Sequence, residues 1–591
     1  MSAFEGATDV SKIAEELQKN SLDFSKDIMK IFNDPIHGHI ELHPLLVKMI
    51  DTPQFQRLRY IKQLGTKHLV YPGATHTRFE HSLGVAHLAG CLLKTLNENQ
   101  PELNITKQDF LCVQIAALCH DMGHGPFSHL FDGMFIPKVR SDKHWEHEQA
   151  SVDMFRCMKR RNGLDKEMKF YGLDLQKDIK FIEELILKGQ KDGKWSMKGR
   201  TEDKSFLYEI VANKVNGIDV DKWDYLARDC YYLGIPCGFD SQRLLKSARV
   251  CEVNRRKHIC FRDKVADNIY GMFHTRYTLH RQALQHKIGY IIDVKINDAL
   301  VKANDKLSPD SKISDAIDNM LEYTKLTDHI SDQILNPSDS NPGLAEAQRI
   351  LQGVVNRRLP KFVGEARLNE DKLKEKLTSH WEDKVNNHSL DPEDTIFCEK
   401  MLKCLKDHPE EAFKNKVYRK ILLLSLEDQS DEAFKIKEIQ NDSLKAAKPV
   451  KAFKIEVYKI LLKDLWDDML LEKKMKATDF EIYVLEMGFG EVGKEPIDNV
   501  HFYSKSDLKT AFKMKKHQVS SLKPEKFHEF LVRVYYDPED QEHQKEVQQK
   551  AQKCFHEWCK DNENTFIDFG HDAGEDDVDE EEEYEETSTS K

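Results

Sequence analysis

The stretch Phe110-Leu-Cys-Val-Gln-Ile-Ala-Ala-Leu-Cys119 is followed at once by His120 and Asp121, and within ten residues by His124 and His129 with glycines between them. The apolar run predicts a buried helix, and the glycines predict a loop at its end. An imidazole and a carboxylate can share one divalent ion when the backbone fixes both, as such a helix end does. The stretch therefore predicts a helical, metal-binding core and favours metal-assisted hydrolysis.

A histidine upstream is the first candidate for completing this site, because two residues cannot fill the about four to six positions of a transition metal. The segment His76-Thr-Arg-Phe-Glu-His81 opens a stretch whose apolar residues recur at helical spacing as far as Leu93. Arg78 and His81 are three residues apart and share a face of that helix. A single histidine near a helix end is more often a cap or a core residue, so His81 counts only in combination.

A carboxylate downstream is the second candidate. Asp221, Tyr225 and Asp229 are spaced four residues apart in another predicted helix and therefore share a face. Asp219 and Asp224 compete with Asp221, and spacing alone does not choose among them. The ligands that we predict are His81, His120, Asp121 and Asp221.

These motifs resemble the HD superfamily of metal-dependent phosphohydrolases. The surrounding sequence is similar to one of its families, the deoxynucleoside triphosphate triphosphohydrolases that carry a SAM domain before the HD domain. The similarity covers about residues 27 to 365 and returns from about 475 to 560. The matching stretches are Asn33 to Leu42, Thr52 to Gly65, His120 to His129 and Gly217 to Asp229.

The resemblance implies a mostly α fold, with a helical HD core, a small β-ribbon and an α+β C-terminal lobe. We predict an HD domain with nucleotide regulatory sites over residues 27–365. A helical insertion is predicted over 366–474, where Val417–Ser425 and Val457–Leu465 have helical spacing. The insertion could be a lid, a partner surface or a passive spacer, and a passive spacer is favoured because surface insertions cost little stability.

Three further segments complete the predicted organisation. The α+β lobe is predicted over 475–565, with strands at Phe480–Glu486 and Val500–Ser504. Residues 1–26 are expected to be an N-terminal segment without a SAM domain. Residues 566–591 are expected to form an acidic, disordered tail, because 11 of the 15 residues from 572 to 586 are Asp or Glu.

Composition excludes several classes of protein. The formal net charge is −12 over 591 residues, and the acidic tail accounts for most of it. The rest of the chain is nearly neutral, so a nucleic-acid partner is not indicated. No run approaches the about 18 apolar residues of a membrane span, and the N-terminus lacks a secretory pattern. The 12 cysteines form no C-x-x-C pair, which predicts reduced thiols inside the cell.

Cys251 and Cys260 flank Asn254-Arg-Arg-Lys257 in an alternating segment that predicts a β-hairpin. A redox pair requires that the register brings the two sulfur atoms together. Two half-buried thiols in a β-ribbon are the favoured interpretation.

The chemistry of a triphosphate substrate constrains its site. Its about four negative charges require cations and hydrogen-bond donors, together with a metal that polarises the scissile group. The residues suited to contacting the phosphates are Arg78, Lys222, Arg276, His124 and His129. Attack of water on the α-phosphorus would release a deoxynucleoside and intact triphosphate, and the leaving oxygen needs a general acid. The resemblance assigns that role to His147, with His129 as the rival and Asp132 as a further catalytic residue.

The resemblance also implies contacts to the sugar and base, where a packed wall can exclude a ribose 2′-hydroxyl. The matching residues are Gln63, Leu64, Tyr225, Asp229, Leu284 and Gln285. Leu284 departs from the family, which has a tyrosine against the deoxyribose at this position. Because leucine lacks the aromatic ring of that tyrosine, we expect selection of deoxyribose over ribose to be weaker or relaxed.

Activation by nucleotides that bridge subunits into a homotetramer is implied by the resemblance. A first site would bind a guanine nucleotide such as GTP, and a second would bind a dNTP. The residues that match the first site are Lys30, Asp51, Gln56, Arg59, Arg357 and Lys361, and Ile31 is a further residue expected to bind an allosteric nucleotide. Those that match the second are Asn33, His39, Arg243, Arg262, Lys264, Asn268 and Lys287. Gln282 replaces a family arginine, which puts one phosphate contact in doubt.

The predicted function is therefore metal-dependent hydrolysis of dNTPs by an allosteric, GTP-binding enzyme that controls dNTP pools. The cofactors expected are a Zn, Fe or Mn ion in the HD site and Mg on the nucleotide phosphates. The resemblance implies a nuclear enzyme with a role in antiviral defence, with the cytosol as the alternative address. The alternative functions are another HD phosphodiesterase or nuclease activity, and a catalytically weakened nucleotide sensor or nucleic-acid-binding homologue.

Overall fold

The computed structural model describes residues 28–187, 194–337, 340–386, 392–427, 450–489, 495–515, 518, 524, 526–538 and 544–569. Within these ranges the protein is mostly helical with small β-sheets, which confirms the predicted fold class. The described residues form two compact units. One runs to Leu359 and also includes Gly488–Phe527, and the other consists of Pro360–Met487 and the described residues from His528.

The α-helices are α1 (Pro44–Ile50), α2 (Pro53–Gln56), α3 (Arg78–Asn99), α4 (Lys107–Cys119), α5 (Ile136–Val139), α6 (His147–Arg161), α7 (Leu164–Phe170), α8 (Lys177–Ile186), α9 (Val220–Leu233), α10 (Ser241–Leu245), α11 (Ala266–Leu279), α12 (Lys287–Ala303), α13 (Met320–Lys325), α14 (Ile330–Leu335), α15 (Ala345–Val355), α16 (Glu370–Asn386), α17 (Pro392–Asp407), α18 (Pro409–Lys414), α19 (Lys416–Glu427), α20 (Val450–Glu472) and α21 (Gln544–Asp561). Two π-helical turns, Phe131–Phe135 and His280–Leu284, interrupt the first unit.

The β-strands are β1 (Lys30–Asp34), β2 (Gly38–Leu42), β3 (Ala248–Val253), β4 (Arg256–Arg262), β5 (Lys361–Leu368), β6 (Phe480–Gly488), β7 (Phe502–Tyr503), β8 (His528–Tyr536) and β9 (Phe566–Phe569). They form a two-stranded sheet β1-β2, a three-stranded sheet β3-β4-β7 and a four-stranded sheet β6-β8-β5-β9.

Helices α3 and α4 pack against each other at the centre of the first unit. Each begins with a capping box, formed by Thr77 with Glu80 in α3 and by Thr106 with Asp109 in α4. Such a cap contributes about 1 kcal/mol, because it satisfies backbone donors that the helix leaves free. Every residue of α4 from Asp109 onward is buried, and His120 is its C-cap. The predicted buried helix that delivers His120 is thus confirmed.

Helix α9 packs against α3 and brings the third predicted segment to the same place. Asp219 caps its N-terminus by accepting a hydrogen bond from the backbone N–H of Lys222. The helix ends at Gly234, whose φ of 68° is in the left-handed region that glycine adopts without strain. Asp221 consequently lies in the first turn of α9 and faces α3.

The predicted β-ribbon is present as the β3–β4 hairpin. Its register pairs Cys251 with His258 and Cys260 with Arg249, so the two cysteines are not directly opposite each other. Both are free thiols, and they form a small buried cluster with Tyr503. The sequence favoured two half-buried thiols in a ribbon. Both thiols are buried, and a hydrogen bond between them lowers the pKa of Cys251, so a redox role stays a hypothesis.

The second unit groups the chain differently from the sequence prediction. The helices of the insertion predicted at 366–474 share one apolar core with strands of the lobe predicted at 475–565, as Trp381, Trp466, Val532 and Trp558 illustrate. The strand predicted at Phe480–Glu486 is confirmed, as β6. The strand predicted at Val500–Ser504 is shorter, and it pairs with β4 in the first unit because Phe502 and Tyr503 bury their rings there.

The N-terminal segment 1–26 and residues 570–591 of the predicted tail lie outside the described residues. The predicted start of the tail at residue 566 needs correction, because Phe566–Phe569 forms strand β9 and pairs with β5. Among the helices that the structure does describe, none combines the length and the apolar character that crossing a bilayer requires.

Candidate metal centre

The four predicted ligands converge from three helices. Nε2 of His81 lies 3.4 Å from Asp121 Oδ2 and 3.1 Å from Asp221 Oδ1. Nε2 of His120 lies 3.3 Å from Asp121 Oδ1 and 3.4 Å from Asp221 Oδ1. The side chain of Asp221 is 33% exposed, whereas those of the other three are 12% exposed or less, so the cluster opens to solvent beside Asp221.

The hydrogen bonds of the two imidazoles determine which ring nitrogens face the cluster. Nδ1 of His81 lies 2.8 Å from Asp224 Oδ2, and Nδ1 of His120 lies 2.8 Å from the carbonyl oxygen of Ala117. A carboxylate and a carbonyl can only accept, so each Nδ1 carries a hydrogen, and in the neutral ring each Nε2 presents a lone pair. Both Nε2 atoms are buried and make no hydrogen bond to the described residues.

The electrostatics of the cluster favour a positive charge. Burial alone would lower the pKa of His81 and of His120, but the neighbouring carboxylates outweigh burial and raise both. Burial likewise opposes ionisation of Asp121 and Asp221, yet nearby cations and imidazoles lower the pKa of each. A proton on each Nε2, or a metal cation in the place of those protons, therefore faces the two ionised carboxylates.

These residues fit a divalent transition-metal ion. Two nitrogen and two oxygen donors suit such ions, and an imidazole whose other nitrogen is held by an acceptor is the usual ligand geometry. The competition among the aspartates is also resolved. Asp219 is used as the cap of α9, and Asp224 lies behind His81, so Asp221 alone among the three faces both Nε2 atoms.

Arg78 makes contacts that the sequence did not predict. Its guanidinium is buried and donates to Asp121 Oδ2, to Ser128 Oγ at 3.0 Å and to the carbonyl of Gln63 at 3.3 Å, and its contact with phosphate stays a prediction. It thereby fixes the orientation of the Asp121 carboxylate and lowers its pKa.

Beside the ligands lies a second cluster, which we call the histidine cluster and which consists of His124, His129, Asp132 and His147. Nδ1 of His147 lies 2.5 Å from Asp132 Oδ2, and Nδ1 of His129 lies 3.5 Å from Asp132 Oδ1. His147 stacks on His124 with the ring centroids 4.0 Å apart. Asp132 is ionised, because hydrogen bonds from the two imidazoles outweigh burial and lower its pKa.

Of the cations and hydrogen-bond donors predicted to contact phosphate, His124 is suited to the role of a neutral hydrogen-bonding group. Burial lowers its pKa well below the ordinary value, and the charges of Arg78 and His147 lower it further. It is therefore a neutral imidazole, whose Nε2 lies 3.4 Å from Asp121 Oδ1. His129, by contrast, has a side chain that is 72% exposed.

The loop between the two clusters has an unusual backbone. Phe127 and Ser128 have φ angles of 59° and 56°, which non-glycine residues adopt only when their surroundings hold them. The carboxylate of Asp328 accepts hydrogen bonds from the backbone N–H of Phe127 at 2.7 Å and of Lys62 at 2.9 Å. Asp328 thus connects the loop that precedes His129 to the segment that contains Gln63.

Four further residues predicted to bind substrate lie in the first unit, and the structure shows their protein contacts or their electrostatic surroundings. Asp229 is buried and accepts a hydrogen bond from His76 Nε2 at 2.7 Å. Burial raises the pKa of Tyr225. Burial alone would lower the pKa of Lys222, but Asp219, Tyr225 and Asp221 together outweigh it and raise that pKa. Arg276 donates to the carbonyl of Gly488 at 2.9 Å.

The residues predicted to contact the base or the sugar lie in two short segments, 63–64 and 284–285. Oε1 of Gln63 is buried and has no hydrogen-bond partner among the described residues, so it can accept a hydrogen bond from a ligand. Leu64, the next residue, is buried. Leu284 is half-buried at the end of the π-helical turn His280–Leu284, and Gln285 is the C-cap of that turn.

The predicted regulatory residues are spread over many elements. Those of the first predicted site lie on β1 (Lys30), around α1 and α2 (Asp51, Gln56, Arg59), after α15 (Arg357) and on β5 (Lys361), and Ile31 also lies on β1. Those of the second lie on the β1–β2 hairpin (Asn33, His39), on α10 and β4 (Arg243, Arg262), at the start of α11 (Lys264, Asn268) and at the start of α12 (Lys287). Lys361 belongs to the second unit, and their roles stay predictions.

The comparisons with known proteins agree with the geometry. The HD domain family matches residues 78–229. The chain is 47% identical to the deoxynucleoside triphosphate triphosphohydrolase SAMHD1 of Danio rerio, over 93% of this chain and 76% of that protein. It is 46% identical to SAMHD1 of Homo sapiens, over 91% of this chain and 75% of the relative. A SAMHD1 homolog of Dictyostelium discoideum is 41% identical, over 63% of this chain and 68% of its own length.

Sequence reasoning missed the residues that hold the ligands in place. Asp224 was considered only as a rival ligand, although its spacing from Asp221 and Arg228 puts all three near one face of α9. His37 and Asp328 gave no local signal, because their partners are distant in the sequence.

Proposed function

Because the chain belongs to the SAMHD1 family of deoxynucleoside triphosphate triphosphohydrolases, we propose that it hydrolyses dNTPs to a deoxynucleoside and inorganic triphosphate at the centre formed by His81, His120, Asp121 and Asp221. The observation that carries this proposal is the pair of buried, unpartnered Nε2 atoms that face two ionised carboxylates. A resident Zn, Fe or Mn ion fits this donor set, and Mg would accompany the nucleotide phosphates.

A divalent ion bound at this centre supplies an activated water and polarises the phosphate. The reaction forms a bond between the water oxygen and the α-phosphorus and breaks the bond from that phosphorus to the 5′ oxygen. The protein orients the ligands for this step through Arg78, which holds Asp121, and through Asp224, which holds His81. The exposed side of the centre, beside Asp221, is where the triphosphate enters.

His147 provides the proton for the departing 5′ oxygen. The ionised carboxylate of Asp132 accepts from Nδ1 of His147, so Nε2 is the nitrogen that transfers a proton. Stacking on the neutral ring of His124 fixes the plane of the His147 imidazole. His129, the rival acid, shares Asp132 but is largely exposed, so it suits a contact with phosphate better.

Selection of the sugar and base is assigned to Gln63, Leu64, Tyr225 and Leu284. The buried, unpartnered Oε1 of Gln63 supports a polar contact to the nucleoside. Leucine in place of the family's tyrosine at 284 removes a ring from the sugar wall, which supports weaker discrimination against ribose.

Regulation of the activity by nucleotides is proposed because the residues at the two predicted regulatory sites resemble those of the family. A GTP-type activator and a dNTP activator would bind at the two residue sets and assemble a homotetramer. The same resemblance supports a nuclear address and a role in limiting dNTP pools.

The test is incubation of the purified, metal-loaded protein with each dNTP, with and without GTP, followed by chromatography of the products. We expect deoxynucleoside and triphosphate in equal amounts, and more of both when GTP is present. Release of monophosphate and pyrophosphate would identify another HD phosphohydrolase activity. Binding of nucleotide without any product would identify a nucleotide sensor instead.

A further inference from the structure

Behind the metal centre, one carboxylate is held from three sides. Asp224 is fully buried, and its Oδ2 accepts from His81 Nδ1 at 2.8 Å and from Arg228 Nε at 2.9 Å. Its Oδ1 accepts from His37 Nε2 at 2.6 Å and from a terminal nitrogen of Arg228 at 2.9 Å. The orientation of this carboxylate therefore depends on His37 and Arg228, and the ring of His81 depends on the carboxylate.

His37 belongs to the turn of the β1–β2 hairpin, and the turn itself is fastened to α9. Oδ1 of Asp34 accepts from the backbone N–H groups of Ile36 and His37, both at 2.9 Å. Arg228 donates to Oδ2 of the same Asp34 at 2.8 Å. The side chain of His37 is only 5% exposed, so water cannot readily replace it.

The space around Asp224 leaves little freedom for another arrangement. A Cβ atom added to Gly84 of α3 would lie 1.9 Å from Asp224 Oδ1 and 2.7 Å from Arg228. Gly84 is three residues after His81 and lies on the same face of the helix. The absence of a side chain at 84 is what lets the carboxylate approach the backbone of the helix that bears the ligand.

From these contacts we propose that His37 is a positioning residue for the metal centre, acting through Asp224 on His81. By donating to Oδ1 it leaves Oδ2 directed at Nδ1 of His81, and this directs the Nε2 lone pair at the ion. The hairpin that carries His37 thereby becomes part of the support of the metal ligand. The inference rests on the proposed function, since it requires an ion at His81.

The experiment compares His37→Ala and His37→Gln with the unaltered protein. The amide nitrogen of glutamine can replace Nε2 as a donor, whereas alanine cannot. The dissociation constant for Co(II) is measured by competition with a chelator, and the visible absorption spectrum of the bound Co(II) reports ligand geometry. We expect affinity about tenfold lower and an altered spectrum in His37→Ala, and recovery of both in His37→Gln, as for other groups that hold a ligand from behind.

A matched control is His258→Ala. His258 is also buried, and its Nδ1 lies 2.5 Å from a carboxylate oxygen of Glu209 in another part of the first unit. We expect it to lower the melting temperature but to leave the Co(II) affinity and spectrum unchanged. An unchanged affinity and spectrum in folded His37→Ala would overturn the proposal, as would equal losses in the two alanine variants. If the unaltered protein binds no Co(II), the metal centre itself fails, which is a distinct result.

Discussion

Nδ1 of His147 lies 2.5 Å from Oδ2 of Asp132, and the ring of His147 stacks on His124. Since an ionised carboxylate only accepts, this pair fixes the tautomer of His147 and leaves Nε2 as the proton donor. This arrangement suggests different roles for the metal centre and the histidine cluster. Under the proposed function, the metal centre would hold the ion and the histidine cluster would transfer the proton.

Replacing His147 by alanine should abolish proton donation and leave the metal in place. We expect kcat for dNTP hydrolysis to fall by about 10² to 10⁴, with unchanged metal content. The matched control is His144→Ala, since the His144 side chain is 73% exposed and makes only a 3.8 Å ion pair with Glu146. If His147→Ala retained a normal kcat, His147 would not be the general acid, and His129 would be the remaining candidate.

Asp121→Asn should remove metal and turnover together. The amide loses the charge that faces both Nε2 atoms, and it turns a donor toward the ion or toward Arg78. We expect metal affinity to fall by at least about 100-fold, as measured by metal analysis after dialysis. Persisting hydrolysis by a metal-free Asp121→Asn protein would show that the ligand assignment is wrong.

Gly84→Ala should disturb the metal centre without touching a ligand. The new methyl group would collide with Asp224, which must then move away from His81. We expect Co(II) affinity to fall by about tenfold or more. Gly353→Ala, in helix α15, is the control. A Cβ atom at residue 353 would lie 3.5 Å from the backbone oxygen of Arg358, which is an ordinary van der Waals contact. Equal Co(II) affinities in the two variants would contradict the contact.

Stability should depend on pH through Asp328. Burial raises its pKa from 3.8 to about 6, so between these values the folded chain holds a proton that the unfolded chain has released. The stabilisation is therefore complete below about pH 4 and is lost as the pH rises through about 6, on the order of 3 kcal/mol. The measurement is the free energy of unfolding of the metal-free protein between pH 4 and 7.

Asp328→Asn supplies the comparison for this pH dependence. The amide does not titrate, so the difference in unfolding free energy between the two proteins should change across the same pH range. The variant should also be less stable, because the amide cannot accept from both Phe127 and Lys62. A difference that stays constant from pH 4 to 7 would count against the raised pKa.

Leu284→Tyr should sharpen sugar selection. A ring at this half-buried position would add to the proposed sugar wall, where the resemblance implies a tyrosine. We expect the ratio of kcat/KM for dATP over ATP to rise by about tenfold. Leu284→Met is the control, since it keeps the apolar volume without adding a ring. An unchanged ratio would show that residue 284 does not contact the sugar.

The local elements of the metal centre could be predicted from the sequence, because each is encoded within a few residues. The apolar periodicity of α4 delivers His120 and Asp121, and the spacing in α9 places Asp221 and Tyr225 on one face. Spacing left Asp219 and Asp224 as competitors of Asp221, and only the structure distinguishes the three.

The support of the centre could not be predicted, because it depends on contacts between distant segments. Asp224 and His81 are 143 residues apart, and His37 and Asp224 are 187 apart. The assignment of β7 to the sheet of the first unit has the same origin, since its pairing with β4 is tertiary. Periodicity identifies a buried face but does not identify its partner.

The most direct test of the central claim is hydrolysis of a dNTP in water enriched in ¹⁸O, followed by mass spectrometry of both products. Attack of water on the α-phosphorus predicts one ¹⁸O atom in the released triphosphate and none in the deoxynucleoside. Label in the 5′ hydroxyl group, or release of pyrophosphate in place of triphosphate, would contradict the account.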